Sequence, residues 1–237
     1  MKGNCQSHRS SPASNLALPV ALLVLGFTWG AAVFLVTQPY SGGIIAGTVF
    51  LVGKGVMILS SLAGALRNPR MAVQLFLSRY RFSPRLWCGL GQALTRFTWE
   101  LPQLCIGYAV AQWRVAVGNV SRVDTLNGVT FLTKTNPRKH NYAGLSIGCF
   151  VNMWIPDTNI QDFKQYALHS PFRIYAHEYG HTVDSQLWGW LYLPVVGLPS
   201  LVSQALGLSP KGRHRHDDFW VERRADRLGK RFFEQQA

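Results

Sequence analysis

An α+β fold is predicted, with an N-terminal transmembrane helical hairpin, a small antiparallel sheet and a helical C-terminal half. Three observations predict it. Two long apolar runs open the chain with almost no charge. Between residues 121 and 155 the texture turns to β-prone runs separated by turn signals. Helical patterning then returns at 170–186 and again in the last residues. The 237 residues accommodate one domain of ordinary size plus membrane segments. Residues 1–66 read as an anchor with two apolar helices. Residues 67–237 read as the folded domain, with an apolar insertion at 187–208 able to associate with the membrane.

Hydrophobic residues make up 48% of the chain and charged residues 15%, against about 25% charged in a typical soluble domain. That deficit points to lipid contact. The net charge of +13 fits nucleic acid or an anionic membrane surface, and the placement of the charges separates the two. Nine cations, from Lys2 to Arg96, precede the first acidic residue, Glu100. The excess therefore flanks the apolar segments, and no nucleic-acid partner is expected. Cys5, Cys88, Cys105 and Cys149 are scattered without a C-x-x-C pair, which speaks against a cysteine zinc site or a dense disulfide framework.

The first apolar run, "LALPVALLVLGFTWGAAVFLVT" at 16–37, is long enough for a spanning helix, which needs about 20 residues. A cleaved signal peptide is the rival, but its apolar core runs about 7–15 residues. A retained anchor is the better reading. The second run, 43–66, follows the turn "QPYSGG" and carries Lys54 in its middle. A charge there costs about 2.5–3.5 kcal/mol on insertion scales. Four readings stay open: the surrounding apolar residues offset that cost, Lys54 faces a partner helix, the segment is re-entrant, or it is a buried or interfacial helix. With Lys2 and Arg9 before the hairpin and a cluster from Arg67 to Arg85 after it, the positive-inside rule puts both ends in the cytoplasm.

Residues 67–116 read as amphipathic helices broken at "FSPRLW" and "LPQL". Asn127-Gly128 lies between two β-prone runs, and both residues tolerate the positive φ of a type I′ hairpin turn. "LSIGCFVNMWI", 145–155, reads as one further strand. Ser170 and Pro171 suit a helix N-terminus, and that helix is expected to run to about Gln186. The charge-free stretch 185–210 contains Pro194 and Pro199, which argue against one straight spanning helix. Asp217 or Asp218 can cap a last helix with an apolar stripe of Val221, Ala225, Leu228 and Phe232.

The chemistry concentrates in "YAHEYGHTVDS", 175–185. Residues four apart share a helix face, about 5–6 Å apart at Cβ, so His177 and His181 can direct imidazole nitrogens at one zinc ion. Glu178, adjacent, can act as the general base toward a water whose pKa the metal lowers to about 7. A pattern this short also recurs by chance, as two histidines that merely share a face. A third ligand has to come from elsewhere. "VERRADRLG" supplies Glu222 and Asp226, again four apart.

These two motifs, in this order, resemble the gluzincin metallopeptidases, in which H-E-x-x-H on one helix is completed by a glutamate in an E-x-x-x-D motif on a later helix. Glu222, Ala225 and Asp226 match the second motif. The resemblance covers about residues 170–230 and extends to an uncharacterised bacterial membrane group carrying H-E-Y-G-H. It implies a zincin-like helical half, with Glu222 as third ligand and Asp226 holding a ligand histidine by hydrogen bond. It further implies a membrane-anchored zinc endopeptidase acting on a peptide or protein substrate, in a bacterial inner membrane with the catalytic domain on the cytoplasmic side. The apolar sequence between His181 and Glu222 departs from thermolysin-like enzymes. No motif places the transition-state stabiliser. His214 and His216 are candidates, against a solvated basic loop or one of them replacing Glu222 as ligand. A non-catalytic membrane protein with a structural zinc site is the alternative. An intramembrane protease of the site-two type is weaker, because Arg173 and Asp184 flank the motif.

Overall fold

The computed structural model describes residues 41–136, 142–156, 160, 162–169, 174–205 and 219–234. Met1–Phe50 is a compact unit by itself, of which residues 41–50 are described and are helical; the second unit is Leu51–Ala237. The first apolar run, 16–37, lies outside the described residues, so a two-helix anchor is not part of what the structure displays. The helices are α1 (Ser41–Arg67), α2 (Pro69–Ser78), α3 (Leu86–Phe97), α4 (Leu101–Ala116), α5 (Phe163–His169), α6 (Ile174–Trp188), α7 (Leu198–Ala205) and α8 (Trp220–Glu234). The strands are β1 (Arg122–Leu126), β2 (Val129–Thr135), β3 (Ala143–Ile147) and β4 (Phe150–Ile155). The fold is mixed α+β.

The breaks predicted at "FSPRLW" and "LPQL" are present, with residues 79–85 separating α2 from α3, and Pro69, which the sequence reading did not single out, adds another. Pro69 sits in the first turn of α2, where Asn68 caps by accepting from the Met71 amide at 3.1 Å. Pro102 sits in the first turn of α4. After α6 the chain makes a tight turn at Gly189–Leu191 and a wide one at Leu193–Gly197 containing Pro194, before α7 begins with Pro199 in its first turn. The charge-free stretch is thus three short helical pieces over its described part.

The sheet corrects two expectations. Its order is β1-β2-β4-β3, and β2 pairs with β4 in parallel, so it is mixed rather than antiparallel. The predicted single strand 145–155 is a hairpin, because Gly148 takes φ +59 and folds β3 back onto β4, with Ile147 opposite Phe150. The β1–β2 hairpin is as predicted, with Asn127 at φ 48 and Gly128 at φ 84. Phe131, Val151 and Met153 join the core that contains Phe163, Tyr175 and Tyr179. Phe150, on the opposite face, packs its ring 5.7 Å from that of Tyr108 on α4. With both faces buried, β2 and β4 lose the apolar–polar alternation expected of a half-exposed strand.

α1 is not a free-standing anchor. Its Gly53, Met57, Ser61 and Gly64 face the folded domain. Added Cβ atoms at Gly53 and Gly64 would meet Cys105 Sγ at 2.7 Å and Gln112 Oε1 at 2.2 Å. Ser61 Oγ lies 2.6 Å from the Tyr108 hydroxyl. Lys54 is directed at the domain, its Nζ 5.9 Å from the centre of the Phe97 ring. Of the described residues, α1 alone is long and apolar enough to cross a bilayer, over Phe50–Arg67.

Glu100, the first acid of the chain, is fully buried and accepts from Ser185 Oγ at 2.7 Å. Burial raises its pKa to about 7, against the opposing pull of Ser185 and Arg96. The folded-state value lies above the unfolded one, so ionisation costs stability. The cost is absent below about pH 4.5, grows up to about pH 7 and is complete above it. Glu100→Gln, which keeps an acceptor for Ser185, is expected to stabilise the protein by up to about 3 kcal/mol at pH 8 and not at pH 4. Thermal unfolding at the two pH values checks it; equal gains at both would remove the ionisation argument.

Candidate metal centre

α6 carries His177 and His181 one turn apart, with ring centroids 4.8 Å apart. Glu222 stands in the first turn of α8 and is buried. His177 Nε2 and His181 Nε2 lie 3.1 and 3.2 Å from the same Glu222 Oε2. The ligand atoms of all three lie within 4.8 Å of one another, close enough to hold one metal ion.

The approach of α6 and α8 is set by small residues. A Cβ on Gly180 would lie 1.9 Å from the Ala225 carbonyl oxygen, and one on Gly229 would lie 1.8 Å from that of Ala176. Ala176 and Gly180 are four apart, as are Ala225 and Gly229. The two backbones therefore touch along one turn of each helix, which brings the histidine face of α6 against Glu222 and Asp226. Beside this crossing, Arg224 Nε donates to the buried Asp184 Oδ1 at 2.6 Å. Burial raises the Asp184 pKa, and Arg224 opposes it.

The groups around the ligands are oriented. Asp226 Oδ1 lies 2.8 Å from His177 Nδ1. With Asp226 accepting from Nδ1, loss of the second ring proton leaves Nε2, which faces Glu222, free to bind a cation. Ser200 Oγ donates to the other Glu222 oxygen, Oε1, at 2.6 Å. His181 Nδ1 is buried without a hydrogen-bond partner among the described residues. Burial pulls the His177 pKa down, but its bonds to Asp226 and Glu222 outweigh this and raise it to about 10. Burial likewise pushes Glu222 up, and its bonds to His177, His181 and Ser200 hold it well below the usual carboxylate range. The centre thus stabilises positive charge between two imidazoles and a carboxylate. Two imidazole nitrogens and one carboxylate oxygen also form a donor set that zinc accepts at catalytic sites.

Glu178 is buried beside β3. Its Oε2 lies 2.5 Å from Ser146 Oγ, and its carbonyl oxygen lies 2.9 Å from the same hydroxyl. Gly144, two residues back on the strand, leaves room for the carboxylate, since a Cβ there would sit 2.1 Å from Oε1. β3 is an edge of the sheet. It lines a cleft of about 920 Å³ together with the two histidines, Glu178, Glu222 and the segment around Tyr192 to Leu201. Tyr192 is buried, and its hydroxyl reaches the Ser146 carbonyl at 3.5 Å. Burial and the nearby Glu178, Asp184 and Glu222 push its pKa up, so the phenol keeps its proton.

The structure therefore brings His177, Glu178, His181, Glu222 and Asp226 to one cleft. His214 and His216 lie outside the described residues. Sequence reasoning missed Gly144, Ser146, Tyr192 and Ser200. None of these stands in a motif, and the small-residue pairs 176/180 and 225/229, which mark the close approach of two helices, were missed as well. No protein-family model, no curated protein and no solved structure matches the chain. Fold and site define a mixed α+β domain with a two-histidine, one-glutamate centre able to hold a metal ion.

Proposed function

We propose that the protein is a membrane-anchored zinc endopeptidase. The observation that carries this reading is the convergence of both histidine Nε2 atoms on one oxygen of Glu222, in a cleft that also holds the carboxylate of Glu178. Zinc, when bound by His177, His181 and Glu222, lowers the pKa of a coordinated water to about 7 and polarises a scissile carbonyl. Glu178 takes a proton from the attacking water and passes it to the leaving amine. Ser146 holds Glu178 in place, and Asp226 holds His177. Tyr192, kept protonated, is the donor for the developing oxyanion, a role the sequence left to His214 or His216.

The outer edge of β3, which pairs with no further strand among the described residues, is open to an extended peptide. Apolar walls at Ile174, Leu193, Leu198 and Leu201 favour apolar side chains in it. The arginines that follow α1 favour a cytoplasmic position for this half under the positive-inside rule. An intramembrane mechanism is disfavoured, since α6 has 15 residues and a spanning helix needs about 20.

The test compares wild type, Glu178→Gln and Tyr192→Phe as full chains in detergent, on a peptide library. Glu178→Gln is expected to lose about 10³-fold in kcat with zinc retained, and Tyr192→Phe about 10²-fold. Unchanged cleavage by Glu178→Gln, or a zinc-loaded wild type that cleaves nothing, would return the centre to a structural or interaction role.

A further inference from the structure

We propose that the outer faces of α1, α3 and α4 form one lipid-facing surface that seats the domain on an anionic bilayer. Of these helices, α3 is inside-out relative to a water-soluble protein. On α3, Arg96 and Gln92 are 0% and 6% exposed, while Leu86, Trp87 and Leu94 are 68%, 81% and 68% exposed. The buried polar groups are bonded inward. Arg96 donates to the carbonyls of Arg79, Arg81 and Gly128 at 2.8–2.9 Å. Gln92 accepts from the Ser83 amide at 2.7 Å and donates to the Asn127 carbonyl at 3.1 Å.

α4 shares part of the pattern, burying polar side chains beside apolar ones such as Leu104 and Val115. It buries Gln112 and Arg114, bonded to the Ala72 carbonyl at 3.0 Å and to Asn152 Oδ1 at 2.9 Å. Outward it shows Ile106 and Trp113. α1 turns Ser61 and Lys54 to the domain and leaves Leu59, Leu62 and Leu66 exposed. Water as the outer solvent reverses this arrangement; acyl chains favour it.

Charge selects the occupant. Glu100 is the one acid between residues 51 and 123, and it is buried. Across that stretch Arg67, Arg70, Arg81 and Arg85 are exposed. An apolar surface rimmed by cations with no exposed anion complements the headgroups and acyl chains of anionic lipid. Exposed indoles border it, as at membrane interfaces: Trp99 Nε1 donates to the Leu187 carbonyl at 3.4 Å, and Trp190 Nε1 to the Thr98 carbonyl at 3.3 Å. Those bonds join the α3–α4 corner to the segment that continues, through exposed Leu191, Leu198 and Leu201, to the rim of the metal cleft. The surface depends on no property of the metal centre, so its failure and that of the peptidase reading are separable.

The test is site-directed spin labelling of the full chain in vesicles of phosphatidylcholine and phosphatidylglycerol. The native Cys88 stands exposed on α3, while Cys105 and Cys149 are buried. With Cys5→Ser, Cys88 is labelled directly. With Cys5→Ser and Cys88→Ser together, Leu59→Cys, Leu90→Cys and Trp113→Cys report the other positions, and Arg231→Cys on α8 is the aqueous control. At all four helix positions, relaxation by oxygen is expected to exceed that by a water-soluble nickel chelate several-fold, with the reverse at Arg231. Chelate access equal to the control would overturn the proposal by showing a water-facing surface. Low access to both reagents would overturn it by showing a protein cover, either residues 16–37 of this chain or a second copy.

Discussion

Glu222→Ala is expected to weaken zinc binding by well over 100-fold and to leave the purified full chain without the near one zinc per chain expected of wild type. Losing a partner behind a ligand typically costs about 10–100-fold, and Glu222 is a proposed ligand itself. Both histidine Nε2 atoms face its Oε2 at 3.1 and 3.2 Å, and no other carboxylate joins the group among the described residues. His214→Ala and His216→Ala serve as the contrast and are expected to keep the metal. The readout is metal per chain after dialysis against a graded chelator. Zinc kept by Glu222→Ala and lost by His216→Ala would move the third ligand to the basic loop. No zinc in a folded wild type would remove the metal reading altogether.

Gly180→Ala is expected to lower stability by about 1–3 kcal/mol and to strip the zinc with it. A methyl group is normally favourable in a helix by about 1 kcal/mol relative to glycine. Here the added Cβ meets the Ala225 carbonyl oxygen at 1.9 Å. That neighbour is backbone and cannot rotate away, so α6 and α8 must separate, with the cost of overpacking. Separation moves His177 and His181 away from Glu222, which links a stability loss to metal loss. Gly229→Ala, whose Cβ would lie 1.8 Å from the Ala176 carbonyl oxygen, is expected to behave alike. Gly91→Ala is the control, since nothing lies within 4 Å of its added Cβ, and it should gain up to about 1 kcal/mol. Thermal unfolding and metal content of the three variants decide the matter. A Gly180→Ala protein with wild-type Tm and full zinc would show that the crossing tolerates separation.

The parts of this protein that sequence alone determined are local in physical origin. The H-E-x-x-H face follows from 3.6 residues per turn, so His177 and His181 share a face whatever α6 packs against. The turn at Asn127-Gly128 follows from the ease with which those residues take positive φ. The breaks at Pro84 and Pro102 follow from fixed φ and a missing amide proton. Glu222 and Asp226 were legible as a pair by the same four-residue spacing and by resemblance to a known motif.

Tertiary structure decided the rest, because it depends on surfaces far apart in the chain. Residues 145–155 read as one strand until the hairpin at Gly148 made β3 an edge, and the parallel pairing of β2 with β4 has no local signal. Burial of both sheet faces erased the alternation that would have marked the strands. Ser146 and Gly144 became partners of Glu178 only through that fold, as did Ser200 for Glu222. Lys54, ambiguous as a charge within an apolar run, turned to the domain because α1 packs its small residues on α4. Spacing along a helix is a property of the backbone. The meeting of two helices is a property of the shapes they present, and only the fold at Gly180 and Ala225 places the two motifs in one centre.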